Sequence, residues 1–222
     1  MSLQRHNAVR FVINQNPLPE NPFMRNSTNR TVILLTHADA DPAGSTISPP
    51  GREQAERCRA LLHKPTFPII IRSPIPCTED TARVVAGIDK KEHTDRSMSL
   101  YLNRDNKDDH LIKTALEKQP PPLTLQMLLE QGVEVEQAVE KKARESKDSI
   151  LHLLARRPGE NTLIVGHDIL IQALCWQFLS SPGRNFILNI ELGRCEGFQL
   201  TLDEDGTVIL WDDIRVSQFA SR

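Results

Sequence analysis

The chain has 222 residues and a formal net charge of −2, with 39% hydrophobic and 25% charged residues. Such a chain is long enough to bury a substantial core, and its basic and acidic residues are interspersed, so nucleic acid is not an expected partner. No window approaches the ~18 apolar residues of a membrane span, and the N-terminus has no apolar leader-like run, which predicts a cytoplasmic protein with no membrane partner.

Residues 1–30 are polar and carry Pro17, Pro19 and Pro22, which predicts an extended arm in which Val9–Ile13 has the pattern of an edge strand. From Thr31 onward short apolar runs alternate with helical periodicity. A strand at 31–36 is followed by a helix at about 51–63, a strand at 68–72 and a helix at about 78–86. Ser48 is placed to cap the first helix and Pro49 to open it, while Ala55, Cys58 and Leu62 recur on one face; Gly87 ends the second. Residues 88–122 are charged, finish in Gln-Pro-Pro-Pro, and read as an irregular excursion from the sheet, of the kind that lies over active sites.

A long helix is expected from about Val133 to Arg156, then a buried strand at 162–165, a strongly apolar helix, and a hairpin closed by an Asp-Gly turn in "GFQLTLDEDGTVILWDD". Alternation of strands and helices is the mark of a parallel sheet. The expected fold over 31–222 is therefore α/β: three layers, a mostly parallel central sheet and helices on both faces. The four cysteines, Cys58, Cys77, Cys175 and Cys195, are widely spaced and form no Cys-x-x-Cys pair, so neither a zinc ribbon nor a disulfide framework is indicated.

His37 follows the strand in "TVILLTHADAD", and His167 follows the strand in "TLIVGHD". In a parallel sheet both stand at the carboxyl edge, where ligands bind. Ser73, ending "PIIIRS", belongs to the same edge. One histidine after a strand is an ordinary turn residue; two at matching positions point to a site.

Four stretches in order, "LLTHADA", "ISPPGREQA", "SPIPCTEDTA" and "LIVGHD", together with the terminal hairpin, resemble the histidine phosphatase superfamily, also called phosphoglycerate mutase-like. The family has strand-Arg-His-Gly, Leu-Thr-x-x-Gly-x-x-Gln-Ala, Ser-x-x-x-Arg-x-x-x-Thr-Ala and strand-Ser-His-Gly at these places. The resemblance implies a two-step phosphoryl transfer without a cofactor, on a small phosphorylated molecule or a phosphoprotein. His37 would attack phosphorus to give a phosphohistidine, His167 would help bind the phosphoryl oxygens, and an acid from a variable segment would protonate the leaving group. Glu92, Asp95, Asp105 and Glu130 lie in or near the excursion, and none is singled out.

This chain departs from the pattern where charge matters most. Thr36 and Cys77 stand where the family has its two arginines, and Ala38 and Asp168 replace glycines. Neither a hydroxyl nor a neutral thiol imitates a bidentate guanidinium, and losing one preorganised donor commonly costs ~10²- to 10³-fold in rate. Thr36, Ser73 and Cys77 are thus degenerate phosphate-binding positions beside His37 and His167. The expected function is weak hydrolysis of a phosphomonoester or phosphohistidine, with a catalytically inactive pseudophosphatase as the alternative. Restoring both arginines, Thr36→Arg with Cys77→Arg, is expected to restore anion affinity, whereas Arg52, Arg72 and Arg83 are the substitute cations close in sequence, Arg72 with its side chain turned away from the site.

Two other chemistries touch the same residues. Cys77 and Arg83 have the Cys-x₅-Arg spacing of cysteine-dependent phosphatases, but the segment lacks glycine and carries Glu79 and Asp80, which oppose a thiolate. His37, His167, Asp39, Asp41 and Asp168 together have the donor types of a metal site, though aspartates in such turns more often cap loops and helices.

Overall fold

The computed structural model describes residues 29–63, 66–89, 94–103, 105–119, 123–181 and 183–216. The expected arm falls outside the described residues up to 28. β1 (Arg30–Thr36) is apolar on both faces because both are covered: Val32 and Leu34 enter one core cluster and Ile33 and Leu35 the other. β2 (Ile69–Arg72) and β4 (Thr162–Gly166) alternate in the same way. Helices α1 (Pro49–Leu61) and α2 (Pro76–Ala86) cover one face. The other is covered by α3 (Lys107–Glu117), α4 (Leu125–Leu129), α5 (Val133–Ala155), α6 (Asp168–Phe178) and α7 (Gly183–Leu188).

Among the described residues the sheet has six strands in the order β3-β2-β4-β1-β5-β6, where β3 is Asp95–Arg96, β5 Gly197–Leu202 and β6 Val208–Ile214. β1 is parallel to β4, β4 to β2, and β2 to β3. β5 runs against both β1 and β6. The expected three-layer, mostly parallel α/β architecture is the one observed, with β5 as the reversed strand.

The capping chemistry sets α1 as expected. Ser48 is its N-cap, its hydroxyl accepting from the Gly51 N–H at 3.1 Å, and Pro49 occupies the first turn. α2 begins earlier than its periodicity suggests, at Pro76, which places Cys77 inside the first turn. Residues 88–122 are more regular than expected, for they contain edge strand β3 and helix α3. α3 hides in the sequence because Lys107, Asp108, Asp109 and Lys113 surround a narrow buried stripe of Ile112 and Ala115. Its start is marked by Asn106, whose side chain accepts from the backbone N–H groups of Asp108 and Asp109. α4 and α7, at five and six residues, are too short to show a period. No helix among the described residues is long and apolar enough to cross a membrane.

One glycine fixes the approach of β5 to β1. A Cβ at Gly197 would lie 1.9 Å from the Leu34 carbonyl oxygen, and its next nearest neighbours are also backbone atoms of β1. Gly197→Ala is therefore expected to destabilise the fold by about 3 kcal/mol or more. Gly44→Ala, where φ is 67° and nothing lies within 4 Å, should cost only ~1–2 kcal/mol. Urea unfolding of the two variants separates a steric clash between strands from a local backbone penalty; equal losses would contradict the assignment.

Candidate functional site

Thr36 of β1 pairs with Gly166 of β4, so the residues that follow, His37 and His167, leave the sheet side by side at the carboxyl edge. The His37 N–H donates to the Gly166 carbonyl at 2.9 Å. The two imidazoles meet edge to face, with ring centroids 5.0 Å apart and an interplanar angle of 66°. His37 Nδ1 lies 2.7 Å from the Ala38 carbonyl oxygen, while Nη1 of Arg194 lies 3.0 Å from His37 Nε2. A carbonyl only accepts and a guanidinium only donates, so the proton sits on Nδ1 and the lone pair on Nε2.

Burial first, and then the Arg194 charge, hold the His37 pKa below its ordinary 6.5. Burial, followed by the neighbouring His37, pushes His167 down to about 4. Both rings are neutral at pH 7. His37 is thus a competent base or nucleophile, but His167 brings no positive charge of its own.

That charge arrives from a place the sequence did not suggest. Arg194 lies in the loop between α7 and β5, and because β5 runs against β1, the loop before it lies at the carboxyl edge. The hydroxyl of Thr36 donates to the Gly193 carbonyl at 2.7 Å and accepts from the Glu196 N–H at 3.2 Å. The Thr36 N–H donates to the Glu196 carbonyl at 2.9 Å. Glu196 in turn accepts from the Gly193 N–H and from Arg215, each at 2.9 Å, and Arg215 also binds Asp213. Cys195, fully buried, adopts φ 56°. Thr36 itself has no exposed surface. An arginine at 36 would lose both hydroxyl bonds to this loop, so the Thr36→Arg change expected to repair the site would alter the loop as well as add a charge.

The acidic crowding expected at this edge is resolved residue by residue. Asp39 accepts from Gln54 and stands 3.4 Å from Arg194 Nε. Asp41 closes its own turn by accepting from Ser45. Glu79 is paired with buried Arg72, which also donates to Thr94 and to the Ser73 carbonyl. Asp80 accepts from the Thr46 hydroxyl and lies 3.8 Å from Arg83. Asp168 opens α6. Arg72 is therefore committed elsewhere, and Arg52 and Arg83 line a separate cleft between α1 and α2. Among the described residues no group of three or more His, Cys, Asp or Glu side chains is arranged to hold a metal ion.

Cys77 is buried, and burial pushes its thiol pKa up; Arg194 is near enough to oppose that shift. Cys77 and Arg83 both lie in one continuous helix, so no phosphate-cradling loop connects them. The Ser73 hydroxyl is buried and has no hydrogen-bond partner among the described residues. Of the acids near the excursion, Asp95 and Asp105 are exposed, Glu130 accepts from Gln126, and Glu92 lies outside the described residues.

A parallel sheet that delivers two imidazoles from adjacent strand ends, closed by an antiparallel hairpin, defines a phosphoglycerate mutase-like α/β domain. The chain belongs to the histidine phosphatase superfamily (branch 1), whose family model matches residues 27–213. No curated protein matches. Similar solved structures include phosphoglycerate mutase from Bacillus anthracis, at 15% identity and TM-score 0.55 over 82% of this chain and 92% of that one. Mycobacterial glucosyl-3-phosphoglycerate phosphatase is 19% identical with TM-score 0.53, covering 83% and 97%. A phosphoserine phosphatase mutant from Entamoeba histolytica, in complex with phosphoserine, is 15% identical with TM-score 0.54, covering 86% and 99%. At these identities the likeness establishes the fold.

The depressed His167 pKa has a sign that can be tested. Because its folded value of about 4 lies below the unfolded 6.5, its contribution to stability is present above pH 6.5 and is lost as pH falls toward 4. Between pH 7 and pH 5 the wild type should lose about 2 kcal/mol more than His167→Gln, whose side chain does not titrate. Urea unfolding of both proteins at the two pH values measures the difference; parallel losses would contradict a neutral, partly buried His167.

Proposed function

We propose that this protein binds the phosphoryl group of a phosphomonoester or phosphohistidine between His37 and His167 and hydrolyses it slowly through a phosphohistidine at His37. The observation that carries this reading is the tautomer of His37. With Nδ1–H fixed on the Ala38 carbonyl, the lone pair on Nε2 points toward the neighbouring imidazole and Arg194. In the first step that lone pair forms a bond to phosphorus while the ester P–O bond breaks, its electrons leaving with the oxygen, which takes a proton from solvent. In the second, water attacks phosphorus, the P–N bond breaks, and phosphate leaves with the imidazole neutral again. The positive charge that develops on the phosphorylated ring faces the Ala38 carbonyl through Nδ1–H, which favours it electrostatically.

Family membership supports a phosphatase-like activity, and the uncharged residues at the two vacated positions support a low rate. A second reading, a binding module without turnover, is favoured by one contact: Arg194 Nη1 lies on His37 Nε2.

Quenched-flow trapping with an aryl phosphate distinguishes the readings. The expected result is an acid-labile, base-stable phosphoenzyme, absent in His37→Asn, with turnover at least ~10²-fold below that of a family member with both arginines. Anion binding without any phosphoenzyme would establish the binding module instead.

A further inference from the structure

A phosphoryl group entering this site meets two neutral rings. Imidazoles at pH 7 with depressed pKa values donate or accept hydrogen bonds but do not balance a dianion. Phosphate recognition therefore needs a fixed cation, and the nearby arginines are engaged or placed elsewhere: Arg72 holds Glu79, Arg215 holds Glu196 and Asp213, and Arg52 and Arg83 line the cleft between α1 and α2. Arg194 differs from these. Its guanidinium stands on the attacking nitrogen of His37, its carboxylate contact to Asp39 is longer at 3.4 Å, and its side chain is 42% exposed. Its charge also reaches His167 and Cys77, the second vacated arginine position.

The loop that carries Arg194 is tied down by the residue that replaced the family's other arginine. Thr36 makes three hydrogen bonds to the backbone of Gly193 and Glu196, one residue before Arg194 and two after it. An arginine at position 36 cannot make the two bonds of the hydroxyl, whereas the third, from the Thr36 backbone N–H, does not depend on the side chain. The loss at 36 and the gain at 194 are thus two sides of one arrangement.

We propose that Arg194 is the phosphate-binding cation of this site, that Thr36 is the residue that positions it, and that before substrate arrives Arg194 caps the nucleophilic nitrogen of His37. The proposal rests on the reading above that the site receives a phosphoryl group. A dianion outcompetes a neutral ring nitrogen for a guanidinium, so the incoming phosphoryl oxygens draw Arg194 off His37. The same movement supplies the missing charge and uncovers the lone pair. The site opens for the ligand that it also needs the arginine to hold.

The test is orthovanadate binding by isothermal titration calorimetry, with His37 titrated by NMR in the same proteins. Arg194→Gln should weaken vanadate binding about 10- to 100-fold, with Arg194→Lys between it and the wild type. Removing the cap should also raise the His37 pKa, because a cation next to the ring is gone. Thr36→Val should move both readouts the same way although Arg194 is still present, and Thr36→Ser, which keeps the hydroxyl, should restore them. A general loss of packing would not be rescued in this way. Should Thr36→Val fail to fold, Arg194→Gln still decides, because that side chain is partly exposed. Wild-type vanadate binding that survives Arg194→Gln unchanged overturns this proposal alone. Affinity that depends on Arg194, with no phosphoenzyme formed, supports it and overturns the hydrolytic reading. A wild type that binds no vanadate overturns both.

Discussion

The site depends on the reversal of strand direction at β1. On one side β1 is hydrogen-bonded to parallel β4, and on the other to antiparallel β5. A parallel neighbour brings its following residue to the carboxyl edge; an antiparallel neighbour brings its preceding residue. One strand therefore gathers His37 from its own end, His167 from the end of β4, and the 191–196 loop from the start of β5. The close approach needed at Gly197 and the apolar filling on both faces of β1 hold that convergence in place. In most open parallel sheets the ligand site is built from loops that follow strands. Here a loop that precedes one completes it.

Much of this was legible in the sequence. Strong periodicity and cap chemistry located β1, α1, β2, α5 and β4 to within a few residues, and the matched positions of His37 and His167 gave the edge. Where the pattern was weak the reading was coarse: α3 lies under charged residues, α4 and α7 are too short for a period, and the two-residue β3 has no pattern at all. Arg194 escaped for a different reason. It sits 157 residues from His37, and nothing in "ELGRCEG" marks it. Its relevance follows from the direction of β5, which becomes usable only when the hairpin is placed against β1. The substitute arginines considered from sequence were those close to the motifs; Arg72 is paired with Glu79, and Arg52 and Arg83 line a different cleft.

The electrostatics of the edge also differ from what a count of charges suggests. Five aspartates and glutamates fall in these turns, yet Glu79, Asp80, Asp41 and Asp39 each have a side-chain partner that directs them. What remains is a pair of desolvated neutral imidazoles, the Asp168 carboxylate whose charge acts on both rings, and the Arg194 guanidinium at the rim. Desolvation here serves nucleophilicity, since an uncharged ring keeps its lone pair. On the proposed reading, the same desolvation leaves anion recognition to the partly exposed Arg194.

Cys195 sets how that charge can move. Its backbone is left-handed, a conformation unfavourable for a residue with a side chain, and it is retained because the thiol is packed without exposure among the residues behind the loop. Swinging the loop as a body would pull Cys195 out of that packing and break the bonds to Thr36. Rotation about the bonds of the Arg194 side chain breaks neither. Any displacement of Arg194 by this route is a rotameric event on the picosecond-to-nanosecond scale of partly exposed side chains, faster by orders of magnitude than the microsecond-to-millisecond closure of an active-site lid. On the proposed reading of the site, ligand entry to His37 is then limited by encounter and by chemistry.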